Sequence, residues 1–191
     1  MILQSEADLV NGGVTGTLDL TDNDLTGPVP GGLGDSPSSL YNIRLGSNGL
    51  TGSIPSSVTE LPSLFVLDLS NNALDGGVPT DLAPGLVRLL LSGNPLGGPV
   101  PAQLGQLTQL RELALADTGL VGTIPTELDA LTALETLDLS GNQLAGPVPD
   151  GFLNLAHLTA ITLHGNGCLS ASPSLTNLLD ALDAAWADGC P

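Results

Sequence analysis

The chain has 191 residues, and its 20 acidic residues stand against three basic ones, all arginine, for a formal net charge of −17. Such a surface repels phosphate and excludes nucleic acid as a partner, because nucleic-acid binding needs clustered Lys and Arg. No apolar run reaches the roughly 18 residues of a membrane-spanning helix, and with aromatics at only 2% any core must be built from Leu, Val, Ile and Ala.

The charge admits two readings. One is solubility in a salty medium, where screening removes self-repulsion; the other is attraction of cationic proteins or divalent cations. No Asn-x-Ser/Thr sequon occurs, so N-glycosylation is not expected. The opening residues from Met1 carry no basic n-region, so no signal peptide is visible. Residues 1–13 do not share the pattern that follows. Ile2, Leu3, Leu9 and Val10 could cover the first layer as a short cap, or the chain begins inside a longer protein.

From residue 14 to 166 one unit recurs, shown most fully by residues 134–157, LETLDLSGNQLAGPVPDGFLNLAH. Its pattern is LxxLxLxxNxLxGx(I/V)P. The Asn column falls at Asn23, Asn48, Asn72, Asn94, Thr118, Asn142 and Asn166, with spacings of 25, 24, 22, 24, 24 and 24. Six units are full and the seventh is partial, with Ile161, Leu163 and Asn166 before the pattern stops. Length changes fall after the prolines, between Pro30 and Leu40 and between Pro79 and Leu86, on the side where loops tolerate them. A period of about 20–29 residues with LxxLxLxxNxL is the leucine-rich repeat signature.

With its LxGx(I/V)P half, the unit resembles the plant-specific leucine-rich repeat of receptor-kinase ectodomains and polygalacturonase-inhibiting proteins. The resemblance implies an α/β solenoid: a right-handed superhelix with a parallel concave sheet, short second strands and 3-10 turns on the convex side. It also implies a non-enzymatic protein-recognition module, extracellular or at the cell surface, with a protein or peptide ligand and no cofactor. An inhibitor of a secreted cell-wall hydrolase is the second reading, and a structural or cation-binding surface protein the third. Family members usually open with a cysteine-bearing cap, which residues 1–13 lack.

In each LxL the leucines point inward and the residue between them outward. The Asn side chain, with one acceptor and two donors, can satisfy turn backbone groups and build a ladder. Thr118 interrupts that ladder, so Thr118→Asn is expected to stabilise by about 1 kcal/mol. The register places three outward columns on the concave face. Thr17, Asn42, Val66, Arg88, Glu112, Thr136 and Ala160 form the first; Asp19, Arg44, Asp68, Leu90, Ala114, Asp138 and Thr162 the second; Thr21, Gly46, Ser70, Ser92, Ala116, Ser140 and His164 the third.

Charge and apolar area concentrate at Asn42, Arg44, Val66, Asp68, Arg88, Leu90 and Glu112, the candidate partner-binding strip. Its plain alternative is cross-strand pairing, with Arg44 between Asp19 and Asp68 and Arg88 beside Glu112. Ser140, His164 and Asp138 share the face, but no Gly-x-Ser-x-Gly turn is present and strand N–H groups are committed to the sheet, which leaves no oxyanion hole. His157 and His164 read as solvated residues, not zinc ligands. Asp19, Asp22 and Asp24 form a weak Ca²⁺ candidate without the EF-hand pattern.

After Asn166, Ser172 and Pro173 read as N-cap and first residue of a helix. Leu175, Leu178, Leu179, Leu182 and Trp186 follow at helical spacing, Asp180 and Asp183 lie off that stripe, and Gly189 reads as the stop. This is the expected C-terminal cap over residues 167–191, with Trp186 as its anchor. Cys168 and Cys190 bracket it; a disulfide would fit an oxidising compartment, and two free thiols a reducing one.

Overall fold

The computed structural model describes residues 16–34, 40–183 and 185–187. The predicted N-terminal cap, the Gly189 stop and Cys190 lie outside these residues. Seven parallel strands, Gly16–Asp19, Leu40–Arg44, Val66–Asp68, Arg88–Leu90, Glu112–Ala114, Thr136–Asp138 and Ala160–Thr162, form one sheet in sequence order. Each rung pairs equivalent residues; Leu67 faces Ile43 on one side and Leu89 on the other. This is the expected right-handed leucine-rich-repeat solenoid.

Behind the sheet, leucines of equivalent positions stack without solvent exposure, among them Leu45, Leu69, Leu91, Leu115, Leu139 and Leu163. The convex column Leu33, Val58, Ala83, Leu104, Leu128 and Phe152 is also buried. Ala83 stands in the shortened repeat, where the chain cuts the corner and Ala83 N–H bonds Thr59 O at 2.8 Å. Phe152 places a full ring in a core that its composition predicts to be aliphatic. Convex turns are 3-10 at Gly31–Gly34, Ala102–Gln106, Thr126–Ala130 and Asp150–Asn154, and α-helical at Ser56–Thr59.

The second strands are discontinuous. Thr26–Pro28, Gly49–Ser53 and Ala73–Asp75 make a three-stranded sheet; Val121–Gly122 pairs with Gln143–Leu144, and Gly146–Pro147 with Leu169–Ser170. The fourth repeat contributes only an isolated bridge from Pro99 to Val121. The seventh repeat is more complete than the sequence pattern suggests, since it carries the second strand Leu169–Ser170 beyond Asn166.

From Asn48 onward the Asn side chains of the column link neighbouring turns. Asn72 Nδ2 donates to Leu45 O, Leu69 O and Ser70 O at 3.0–3.1 Å, while its Oδ1 accepts Leu50 N–H at 2.9 Å. One amide thus serves two repeats. The preceding residue, Asp22, Ser47, Asn71, Gly93, Asp117, Gly141 or Gly165, has φ between 52° and 70°. That left-handed turn suits Gly, Asn and Asp and aims the Asn inward.

The cap helix runs Pro173–Leu182, with Ser172 Oγ accepting Leu175 N–H. It ends earlier than the apolar stripe suggests. Asp183 leaves the helix at φ −145° and turns inward, and its Oδ2 accepts the N–H groups of Leu163 at 2.6 Å and His164 at 2.9 Å. In the preceding repeat the equivalent groups are Leu139 N–H, which bonds Thr162 O of the next strand, and Ser140 N–H, which bonds Asp138 Oδ1 of its own repeat. Asp183 therefore stands in for a next-strand carbonyl at Leu163 and, where Thr162 replaces the aspartate of the repeat, for that carboxylate at His164. Trp186 is buried, as the stripe predicts, with Nε1 donating to Asp180 Oδ1 at 2.8 Å.

Candidate functional site

The concave face presents the three columns that the register defines. Thr17, Asn42, Val66, Arg88, Glu112, Thr136 and Ala160 stand side by side, as do Asp19, Arg44, Asp68, Leu90, Ala114, Asp138 and Thr162. Exposure within the candidate strip is uneven. Asn42, Arg44, Asp68, Arg88, Leu90 and Glu112 are half-buried, whereas Val66 is only 8% exposed and offers little contact area. Asn42 Nδ2 donates to Thr17 Oγ1 at 3.2 Å.

Every arginine is ion-paired. Arg44 Nη1 lies 3.6 Å from Asp19 Oδ2, Arg88 Nε bonds Glu112 Oε2, and Arg111 Nη1 lies 2.7 Å from Glu135 Oε1. Arg44 takes Asp19, not a midway position between Asp19 and Asp68. Between the last two pairs lies a shallow cleft of about 310 Å³ lined by Val87, Arg88, Arg111, Glu112, Glu135 and Thr136. Beside it, at the start of the second and third strands, the exposed rings of Tyr41 and Phe65 are tilted against each other with centroids 6.4 Å apart.

Asp68 and Asp138 follow a common design. Asp68 Oδ1 accepts the N–H and Oγ–H of Ser70 at 3.1 and 2.6 Å; Asp138 Oδ1 accepts the same groups of Ser140 at 3.0 and 2.6 Å. Asp19 accepts Thr21 N–H at 3.2 Å, and hydrogen bonds from Thr21 hold its carboxyl below the usual range, with Arg44 adding to the effect.

These bonds take apart the Ser140, His164 and Asp138 constellation. The Ser140 hydroxyl proton points to Asp138, and His164 Nδ1 lies 3.4 Å from Asp183 Oδ1 on the cap. A triad needs the serine hydroxyl hydrogen-bonded to the histidine, and here it donates to the carboxylate instead. Among the described residues, no group of three or more His, Cys, Asp or Glu side chains is placed to hold a metal, so Asp19, Asp22 and Asp24 do not assemble the Ca²⁺ site that their clustering suggested. Cys168 is disulfide-bonded, while Cys190 falls outside the described residues.

The pattern of outward columns did not reveal the inward Asp183. Its signal was an Asp one residue past the last helical leucine, where a C-terminal carboxylate can meet open strand N–H groups. Burial tends to raise the Asp183 pKa, but hydrogen bonds from Leu163, His164 and Ala185 outweigh that and leave it lowered.

In this parallel-sheet solenoid every exposed column of the open face is held in place by the sheet behind it. Leucine-rich repeat sequence profiles match residues 63–84, 85–107 and 108–168, together more than half of the chain. The crystal structure of a Pollen Receptor Kinase 3 is 36% identical, with a TM-score of 0.75, and the match covers 83% of this chain and 76% of that one. The chain belongs to the leucine-rich repeat family, of the plant type.

The Arabidopsis receptor kinase HAESA, solved in complex with the peptide hormone IDA and the co-receptor SERK1, is 34% identical with a TM-score of 0.74. That match covers 81% of this chain and 29% of the HAESA chain. The Arabidopsis thaliana leucine-rich repeat receptor-like serine/threonine-protein kinase RGI4 is 42% identical over 59 residues, which is 31% of this chain and 5% of that protein. The chain thus spans a small part of these longer receptors. Among the described residues no helix is long and apolar enough to cross a membrane.

Proposed function

We propose that this solenoid is a non-enzymatic recognition module that binds a protein or peptide ligand on its concave face, centred on the second to fifth strands, outside the cell or at its surface. The observation that carries this reading is the shared fold with HAESA, whose complex holds a peptide hormone. Half-exposed Asn42, Arg44, Asp68, Arg88, Leu90 and Glu112 occupy adjacent rungs there. A Cys168–Cys190 disulfide would accord with an oxidising location.

The test is ligand selection from a displayed random-peptide library, followed by variants. Asp68→Lys and Leu90→Asp should each weaken the selected ligands at least tenfold, about 1.4 kcal/mol, with little change in melting temperature. Asp81→Lys on the exposed convex side serves as control. Ligands that are lost with Asp81→Lys but bind both concave variants normally would place recognition on the convex side.

A further inference from the structure

The charges of the concave face are not balanced rung by rung. All three arginines are engaged by Asp19, Glu112 and Glu135, so the face offers no uncommitted cation. Asp68 and Asp138 each commit only Oδ1, to Ser70 and Ser140. Neither carboxylate has an ion-pair partner among the described residues, and both are half-exposed. They occupy one column, with Leu90 and Ala114 on the rungs between them. Three rung spacings separate them, about 14 Å at about 4.8 Å each. An extended peptide rises about 3.3 Å per residue, so its residues i and i+4 are about 13 Å apart and point the same way. Residue i+2 falls midway on that same side, over Leu90 and Ala114.

Resting on the concave-face reading above, we infer that the ligand is an extended peptide lying across the strands, with basic side chains at i and i+4 on Asp68 and Asp138 and an apolar side chain at i+2 on Leu90 and Ala114. The serines fix each aspartate rotamer before the ligand arrives, so little side-chain freedom is lost on binding. The net charge of −17 draws a cationic peptide in from a distance. That long-range attraction is insensitive to spacing; the two fixed carboxylates are not, and spacing is therefore the property to measure.

The probes are fluorescent decapeptides with a Lys-Gly-Leu-Gly-Lys core, the isomer with adjacent lysines (Lys-Lys-Gly-Leu-Gly), and the Glu-Gly-Leu-Gly-Glu version. The i, i+4 peptide should bind at least fivefold tighter than its equally charged isomer, and the Glu peptide not measurably. Asp68→Asn and Asp138→Asn should each abolish the preference between the two lysine peptides, and Leu90→Asp should abolish the preference for Leu over Gly at the centre. Equal binding of the two isomers, or a preference that survives both Asn variants, overturns the inference, as does failure of every lysine peptide to bind at millimolar concentration. Selected ligands that are acidic or neutral yet lost with Leu90→Asp would sink this peptide class while leaving concave recognition intact. Ligands indifferent to every concave variant would sink both.

Discussion

Asn142 joins two repeats through one side chain. Its Nδ2 donates to Leu115 O and Leu139 O at 2.8 and 2.9 Å, and its Oδ1 accepts Leu120 N–H at 2.9 Å. Asn142→Ala leaves these buried groups unpaired and should cost about 2–3 kcal/mol in urea unfolding. Asn23 is exposed and bonds only within its own turn, to Leu20 O and Thr21 O, so Asn23→Ala should cost less than about 1 kcal/mol. Thr118 behaves differently from the sequence expectation. The partner that an Asn here would take, Leu96 N–H, instead bonds Asn94 O at 2.8 Å across Pro95. Thr118 Oγ1 meanwhile donates to Leu115 O at 2.7 Å in a fully buried site. The turn has been rebuilt around Thr. Thr118→Asn should therefore destabilise, by about 1 kcal/mol, because its acceptor finds no free N–H and its bulk strains the layer. Combining it with Pro95→Ala, which lets the Leu96 turn relax, should recover part of that loss in thermal melts.

At the scale of the element, the C-terminal cap depends on one carboxylate. Asp183 is lowered in the folded state because the bonds to Leu163, His164 and Ala185 together exceed the opposing effect of burial. A depressed carboxylate contributes stability that is present above its unfolded pKa of about 3.9 and lost as pH falls through the folded value. Acidification should thus loosen the cap first, and hydrogen exchange at Leu163 and His164 should accelerate below about pH 4. Asp183→Ala should reproduce this at neutral pH, at a cost of about 1–3 kcal/mol. Asp129 has the opposite sign. Burial raises its pKa, with Asp150 and Glu127 adding to the effect against a bond from Gly151 N–H. Its Oδ1 has no partner, and only a glycine at position 151 leaves room for the carboxyl. Its penalty is fully present at neutral pH and falls away as pH drops through the raised folded value. Asp129→Asn should raise the melting temperature at pH 7, with the gain disappearing in acid. For Cys168, alkylation of the native, non-reduced protein should label no thiol, and reduction should lower stability by roughly 3 kcal/mol on the loop-entropy account.

Over the whole molecule the net charge of −17 opposes compaction, and three surface ion pairs do little to offset it. Sodium chloride raised from about 20 to 500 mM shortens the Debye length several-fold, so the melting temperature should rise. A fall instead would mean that the three Arg pairs outweigh the general repulsion. The same field bears on recognition: salt should weaken any cationic ligand of the concave face, while apolar contact at Leu90 should be largely indifferent to it.

The sequence by itself determined the solenoid, the register of its rungs, the Asn ladder and the start of the cap helix at Ser172. Each is a property of one repeat copied at a nearly constant interval, so contacts between residues 24 apart are written in the pattern of a single unit. Which side chains meet within a column is not periodic, and tertiary structure decided it. Arg44 turns to Asp19, Val66 is covered, and the Asp68 and Asp138 carboxylates are held by serines two residues on. The register allows each side chain several partners at similar distance, and torsion and local hydrogen bonding choose among them. Asp183 is the clearest case: its position reads as solvent-facing along the helix, yet it turns inward to the N–H groups of Leu163 and His164 on the seventh strand, which the cap meets only once the repeats have stacked.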